Sequence, residues 1–173
     1  HPIPANNHVD TVLDHGVEHL WTYYCCGQGE DVSNRFMAMP SARNRILGAQ
    51  LFKYHIEGFL QWGYNFWYSM LSKRPIDPYA ETGAEDAFPA GDAFLVYPGP
   101  DGEPVPSIRQ LVFHEGLQDL RALQLLEQKL PHEAIVALLE QDGAVKFKEY
   151  PRTSQAVLAM RERVNRKIQE LWG

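Results

Sequence analysis

Aromatic rings and an amide follow a short apolar stretch near residue 60. The segment Gly58-Phe59-Leu60 has the character of a strand buried on both faces, as in α/β proteins. Directly after it come Trp62, Tyr64, Asn65 and Trp67. Flat apolar faces beside polar groups suit a ring-shaped, hydroxylated ligand. The same pattern is also typical of a core strand that runs into a packed aromatic loop, so both interpretations stand at this point.

Two further segments are predicted to end in the same way. A strand over residues 20–25 carries Trp21 and Tyr23 on one face, and a strand over residues 93–97 ends in Tyr97. Ligands of parallel α/β sheets bind beyond the carboxyl ends of the strands. Asp92 either reaches a sugar hydroxyl there or shapes the turn after Gly91. The candidate substrate-binding residues are therefore Trp21, Tyr23, Trp62, Tyr64, Asn65, Trp67, Asp92 and Tyr97.

Helical patterns separate these strands. Helices are predicted over about 8–15, 41–56, 107–126, 131–141 and 153–172, with Ser107 as an N-cap. Strands alternating with helices predict an α/β fold with right-handed parallel crossovers. Three strands cannot close a barrel, and the small open sheet would have exposed edges. We therefore expect either a missing N-terminal half or a second chain that completes the sheet.

Composition excludes several classes of partner. A net charge of −6 argues against nucleic acid, and no apolar run approaches the roughly 20 residues that cross a membrane. The adjacent Cys25 and Cys26 are expected to be free thiols, which favours a reducing, cytoplasmic location. His15 and His19 are four apart, but Gly16 interrupts the helix between them, so we expect no metal site there. No cofactor is expected.

Several blocks of the sequence, in order over about residues 17–126, carry a resemblance to a known family. The blocks are Leu20-Trp21-Thr22-Tyr23-Tyr24-Cys25-Cys26-Gly27, Asn34, Arg45-Ile46-Leu47-Gly48, Gly58-Phe59-Leu60-Gln61-Trp62, Gly91-Asp92-Ala93-Phe94-Leu95-Val96-Tyr97-Pro98-Gly99, Pro106-Ser107-Ile108-Arg109 and Glu115-Gly116-Leu117-Gln118-Asp119. Together they resemble the catalytic domain of glycoside hydrolase family 123.

The resemblance implies the C-terminal part of a (β/α)8 TIM-type barrel, about three β/α units over residues 1–130. Residues 131–173 would be terminal helices packed on the same domain. It also implies a β-N-acetylhexosaminidase-type enzyme in which the substrate's acetamido oxygen attacks the anomeric carbon, assisted by an adjacent Asp-Glu pair. No Asp-Glu dipeptide occurs in this sequence. The pair is therefore expected upstream of residue 1, and this chain alone is expected to be inactive while supplying the aromatic sugar-binding wall.

A different class of function remains open. The chain could be a non-catalytic carbohydrate-binding or assembly module whose exposed sheet edge pairs with another chain. Under both interpretations the expected ligand is a carbohydrate, and an N-acetylhexosamine glycoside is the form that the resemblance implies. An Asp-Glu pair at the end of a preceding strand would separate the enzyme from the module.

Overall fold

The computed structural model describes residues 1–173 and contains short strands with longer helices. The strands are β1 (Trp21–Tyr23), β2 (Gly58–Leu60), β3 (Val96–Pro98) and β4 (Pro104–Pro106). The helices are α1 (Val9–Leu13), α2 (Ala42–Arg45), α3 (Leu47–Lys53), α4 (Ile108–Glu127), α5 (His132–Leu139) and α6 (Ser154–Trp172). Single 3-10 turns occupy Asn6–His8, Cys26–Gln28, Met70–Ser72 and Glu140–Asp142.

The predicted parallel pairing of the first two strands is confirmed. Strand β1 pairs with β2 so that Thr22 lies opposite Phe59 and Tyr23 opposite Leu60, and α2 and α3 lie in the crossover between them. The N-terminal segment runs parallel to the other edge of β1, where the carbonyl of Pro4 accepts a 3.3 Å hydrogen bond from Tyr23 N–H. Residues 2–5, β1 and β2 thus form three adjacent parallel segments.

The prediction of a third parallel strand over Ala93–Tyr97 is wrong. The strand in this region, β3, begins only at Val96 and pairs antiparallel with β4 as a local hairpin. Gly99 N–H donates to the carbonyl of Glu103 across the turn, which keeps the pairing local. Proline lacks an amide donor and is tolerated at a sheet edge, which is why the Pro104–Pro106 segment resembles a loop in the sequence. The fold has mixed helices and strands with two small two-stranded sheets.

The helices form the larger part of the core. Helix α4 packs across α2, α3 and α6, and apolar side chains of α3, α4, α5 and α6 share one cluster that includes Ala49, Leu123, Ile135 and Val157. The α3–α4 crossing is so close that a Cβ on Gly48 would lie 1.8 Å from the carbonyl oxygen of Gly116. Small residues at this crossing therefore allow the two backbones to touch.

Side-chain caps mark the first residues of the two longest helices. The Ser107 hydroxyl accepts from Gln110 N–H at the start of α4, as predicted, and Thr153 caps α6 in the same way. The helix predicted over about 41–56 is found as the consecutive helices α2 and α3. None of the helices combines the length and the apolar character needed to cross a bilayer.

Candidate functional site

A groove opens at the carboxyl ends of β1 and β2. It has a volume of about 270 Å³. Its wall is formed by side chains from the two strand ends and by one residue of the 68–92 connection. The lining residues, which define the strand-end groove, are Tyr23, Cys25, Cys26, Leu60, Trp62 and Phe88.

The strand pairing places the two sides of this groove next to each other. Tyr23 and Leu60 are opposed residues at the last position of the parallel ladder. Trp62, two residues after Leu60, packs against Phe88, with ring centroids 5.2 Å apart in an edge-on arrangement. The next residue, Gly63, lies so close to residue 93 that a Cβ would be 2.5 Å from the Ala93 carbonyl oxygen. Glycine at this position therefore allows residues 92 and 93 to approach the floor of the groove.

A buried arginine lies beneath the strand ends. The Arg35 side chain is fully buried and donates to the backbone carbonyls of Gly63 (2.9 Å) and Asp92. Its Nε and second terminal nitrogen have no hydrogen-bond partner. Burial lowers the pKa of Arg35 to about 10, and the facing Tyr24 and Asp92 oppose that shift. Arg35 thus ties the loop after β2 to the segment before β3.

The Asp92 carboxylate is buried beside this arginine, and the Trp62 side chain and the Cys26 backbone N–H approach it without forming a hydrogen bond of good geometry. Burial raises the pKa of Asp92, and this effect exceeds the opposing influence of Arg35, the Trp62 side chain and the Cys26 backbone. Asp92 therefore belongs to the floor behind Trp62 and Cys26. Burial and the neighbouring Cys25 and Asp92 also raise the pKa of the Cys26 thiol, so this wall of the groove is not a nucleophilic thiolate.

The structure brings three of the predicted site residues together at the groove. Tyr23 and Trp62 line it and Asp92 lies behind it. Trp21 stands at the other end of β1, where its ring covers Gly58, and it does not line the groove. Tyr64 is exposed, with 46% of its surface accessible, and Asn65 beside it is exposed as well.

The remaining two candidates have partners inside the chain. The Trp67 indole N–H donates to the Val96 carbonyl at 3.0 Å, and the Tyr97 ring stacks on Tyr79 with centroids 4.9 Å apart. Because β3 left the predicted parallel sheet, Tyr97 does not line the strand-end groove. Both side chains hold the β3 hairpin against the preceding connection.

Arg35 and Phe88 were not among the predicted residues. Arg35 lies in a segment without periodicity, and its carbonyl partners are 28 and 57 residues away, so no local pattern signals its burial. Phe88 lies in the long connection of residues 68–92, and a loop of that length in a compact domain is usually functional or partly disordered. An aromatic residue in such a loop was the available signal.

His15 and His19 do not form a metal pair. The His15 ring bonds to the Thr11 carbonyl, and the His19 ring bonds to Glu57. Two other groups combine imidazoles with a carboxylate at ligating distances from one another. They are His1, His19 and Glu57, and His55, Glu127 and His132.

Comparisons with known proteins place these observations in a family. The sequence profile of the glycoside hydrolase 123 catalytic domain matches residues 1–126. Among solved structures, a family 123 glycoside hydrolase from Clostridium perfringens, analysed for the details of glycolipid glycan hydrolysis, superposes with a TM-score of 0.53 at 19% identity. The alignment covers 96% of this chain and 29% of that one, so the chain spans less than a third of that enzyme's length. No curated protein matches the chain. The profile match over most of its length shows that this chain belongs to the glycoside hydrolase 123 catalytic domain family.

Proposed function

We propose that this chain is the C-terminal part of a glycoside hydrolase barrel and forms the apolar wall of its sugar subsite. The observation that carries the proposal is the position of the strand-end groove at the carboxyl ends of two adjacent parallel strands. Active sites of (β/α)8 barrels lie at that end of the strands. Residues 2–5, β1 and β2, separated by helices, supply the corresponding β/α units.

The lining of the groove favours binding over bond cleavage. Its surface is formed by apolar side chains, and the one carboxylate nearby, Asp92, is buried behind them. Tyr23 and Trp62 would stack on the C–H face of a pyranose, which needs apolar area and flat rings. The acid–base chemistry would then come from the Asp-Glu pair expected outside this chain, acting on an N-acetylhexosamine glycoside.

Removing the Trp62 ring tests the wall. Trp62→Ala in the longer protein should weaken binding of N-acetylhexosamine by about 1–3 kcal/mol, because a half-exposed ring that stacks on a sugar contributes in this range. Isothermal titration calorimetry measures the affinity, and hydrolysis of an aryl β-N-acetylhexosaminide measures the reaction. Circular dichroism would check that the variant keeps its fold.

The chain offers a matched control for this experiment. Trp172, at the end of α6, is 41% exposed, compared with 38% for Trp62, and its neighbour is Lys129 rather than the groove. Trp172→Ala should leave sugar affinity unchanged. Equal affinities of the Trp62→Ala variant and the parent would eliminate the stacking role. Sugar binding without hydrolysis by the longer protein would favour the non-catalytic module instead.

A further inference from the structure

A second site with different chemistry lies where α3, α4 and α5 meet. His55 follows the end of α3, Glu127 is the last residue of α4, and His132 is the first residue of α5. One ligating atom from each of the three lies within 4.8 Å of the others. We refer to these residues as the junction cluster. Two imidazoles and a carboxylate are a ligand set typical of zinc sites with three protein ligands.

His132 is already oriented as a metal ligand. Its Nε2 lies 3.0 Å from the carbonyl oxygen of Lys53, to which it can donate its proton. A ligating histidine almost always donates its second ring N–H to such an acceptor, which fixes the tautomer and directs the other nitrogen to the metal. Here the other nitrogen, Nδ1, faces Glu127.

The spacing between the first two ligands fits a tetrahedral ion. His132 Nδ1 and Glu127 Oε1 are 3.0 Å apart. Zinc–nitrogen and zinc–oxygen bonds of about 2.0–2.2 Å place two tetrahedral ligands about 3.3–3.6 Å from each other. An ion that replaces the proton shared by these two atoms would therefore need only a small change in their separation.

The third ligand is available. The His55 ring stacks on the His132 ring with centroids 3.9 Å apart, and it makes no hydrogen bond within the chain. His55 is exposed, so its side chain can turn until one nitrogen faces the Glu127 carboxylate.

The surroundings favour a cation with bound water. A cavity of about 270 Å³ adjoins the junction cluster and is lined in part by His55, Glu57 and Glu127. No lysine or arginine lines it. The Lys53 ammonium group, which is close in sequence, pairs instead with Glu140 at 2.7 Å. The carboxyl end of α4, where Glu127 lies, adds the negative end of a long helix.

We propose that His55, Glu127 and His132 bind one Zn²⁺ ion, with water from the adjoining cavity as the fourth ligand. The ion would connect the end of the family-matched region to α5 and would stabilise that junction. The site lies beside Glu57, which precedes the amino end of β2, whereas the strand-end groove lies beyond its carboxyl end. The proposed ion would therefore lie apart from the strand-end groove.

Metal titration of the full chain tests the proposal. Chelator-treated protein should bind one equivalent of ZnCl₂ by calorimetry, and CoCl₂ should produce the visible absorption of tetrahedral Co²⁺. Zinc should also raise the melting temperature. His55→Gln should weaken zinc binding at least tenfold and abolish the Co²⁺ absorption, because it removes an exposed ligand without disturbing the core.

His19→Gln is the matched control, since His19 belongs to the other group with His1 and Glu57. This variant should bind zinc like the parent. Failure of the parent to bind zinc would overturn the proposal, as would binding that survives in His55→Gln but is lost in His19→Gln. Both variants should keep the parent's affinity for N-acetylhexosamine, which keeps this test separate from that of the groove.

Discussion

Two regions of the molecule bury charged side chains, but these side chains are fully hydrogen-bonded in only one of the regions. Where α2, α4 and α6 meet, the Asp119 carboxylate accepts hydrogen bonds from Arg45 at 2.7 and 2.9 Å and from Arg161 at 3.0 Å. Behind the strand-end groove, the Asp92 carboxylate accepts no hydrogen bond of good geometry, and two nitrogens of Arg35 have no partner. Unpaired buried polar groups are costly and therefore uncommon.

The difference indicates what each region is for. A carboxylate that is paired by two arginines holds α2, α4 and α6 together, and Arg45 therefore has a structural role. Arg109, in the first turn of α4, forms no ion pair. It donates to the Phe94 carbonyl at 2.8 Å and lies over the Phe94 ring. The unpaired groups of Arg35 and Asp92 lie directly behind the groove wall, beside Trp62 and Cys26.

Removing the paired carboxylate should have the largest effect on stability. Asp119→Ala leaves the partly buried Arg161 without a counter-ion and leaves Arg45 with only the exposed Glu115 carboxylate at 3.6 Å, and breaking such a buried pair typically costs about 3 kcal/mol or more. Urea denaturation of the variant and the parent measures the difference. The control is Glu170→Ala, which removes the exposed pair with Lys167 and should cost less than about 1 kcal/mol. Equal losses for the two variants would remove the contrast between the regions.

The aromatic residues after β2 allow a finer comparison. Trp67→Phe removes an indole donor from the Val96 carbonyl and should cost about 1 kcal/mol of stability. Tyr64→Phe removes an exposed hydroxyl without a partner in the chain, so its effect on stability should stay within about 0.5 kcal/mol. Thermal denaturation would measure both. A larger loss of stability for Tyr64→Phe than for Trp67→Phe would contradict the conclusion that Trp67, and not Tyr64, supports the fold.

The long helices were predictable because their signals are local. Ser107 and Thr153 are capping residues at the start of α4 and α6, and apolar residues follow at helical spacing. The parallel pairing of β1 and β2 followed from apolar strands separated by helices. The pairing of β3 with β4 could not be predicted in this way. Pro104 and Pro106 make β4 resemble a loop in the sequence, although proline is tolerated in an edge strand.

Residues of the groove could be predicted only where they lie at the ends of predicted strands. Tyr23 and Trp62 follow from the position of aromatic residues at strand ends. Arg35 could not be found in this way, because its burial depends on carbonyl groups of Gly63 and Asp92 that only the tertiary fold brings near. Trp21 is also aromatic and lies in β1, but its ring packs over Gly58, the residue opposite it in β2, and does not line the groove.

The smallest effect that we expect is on the pH dependence of stability at Asp92, and it distinguishes burial of this carboxylate from ion pairing. Because burial raises its pKa, the folded protein retains this proton to a higher pH than the unfolded chain does. Between the ordinary aspartate value of about 4 and the raised value, folding therefore becomes less favourable as the pH rises. Asp92→Asn cannot ionise and escapes this loss, so its stability relative to the parent should increase between pH 4 and pH 7. Urea denaturation at both pH values measures the change, and Asp101→Asn, at an exposed turn, corrects for the removal of one charge. If attraction to Arg35 outweighed burial, the relative stability of Asp92→Asn would instead fall with pH, and the groove floor would be an ion pair like that at Asp119.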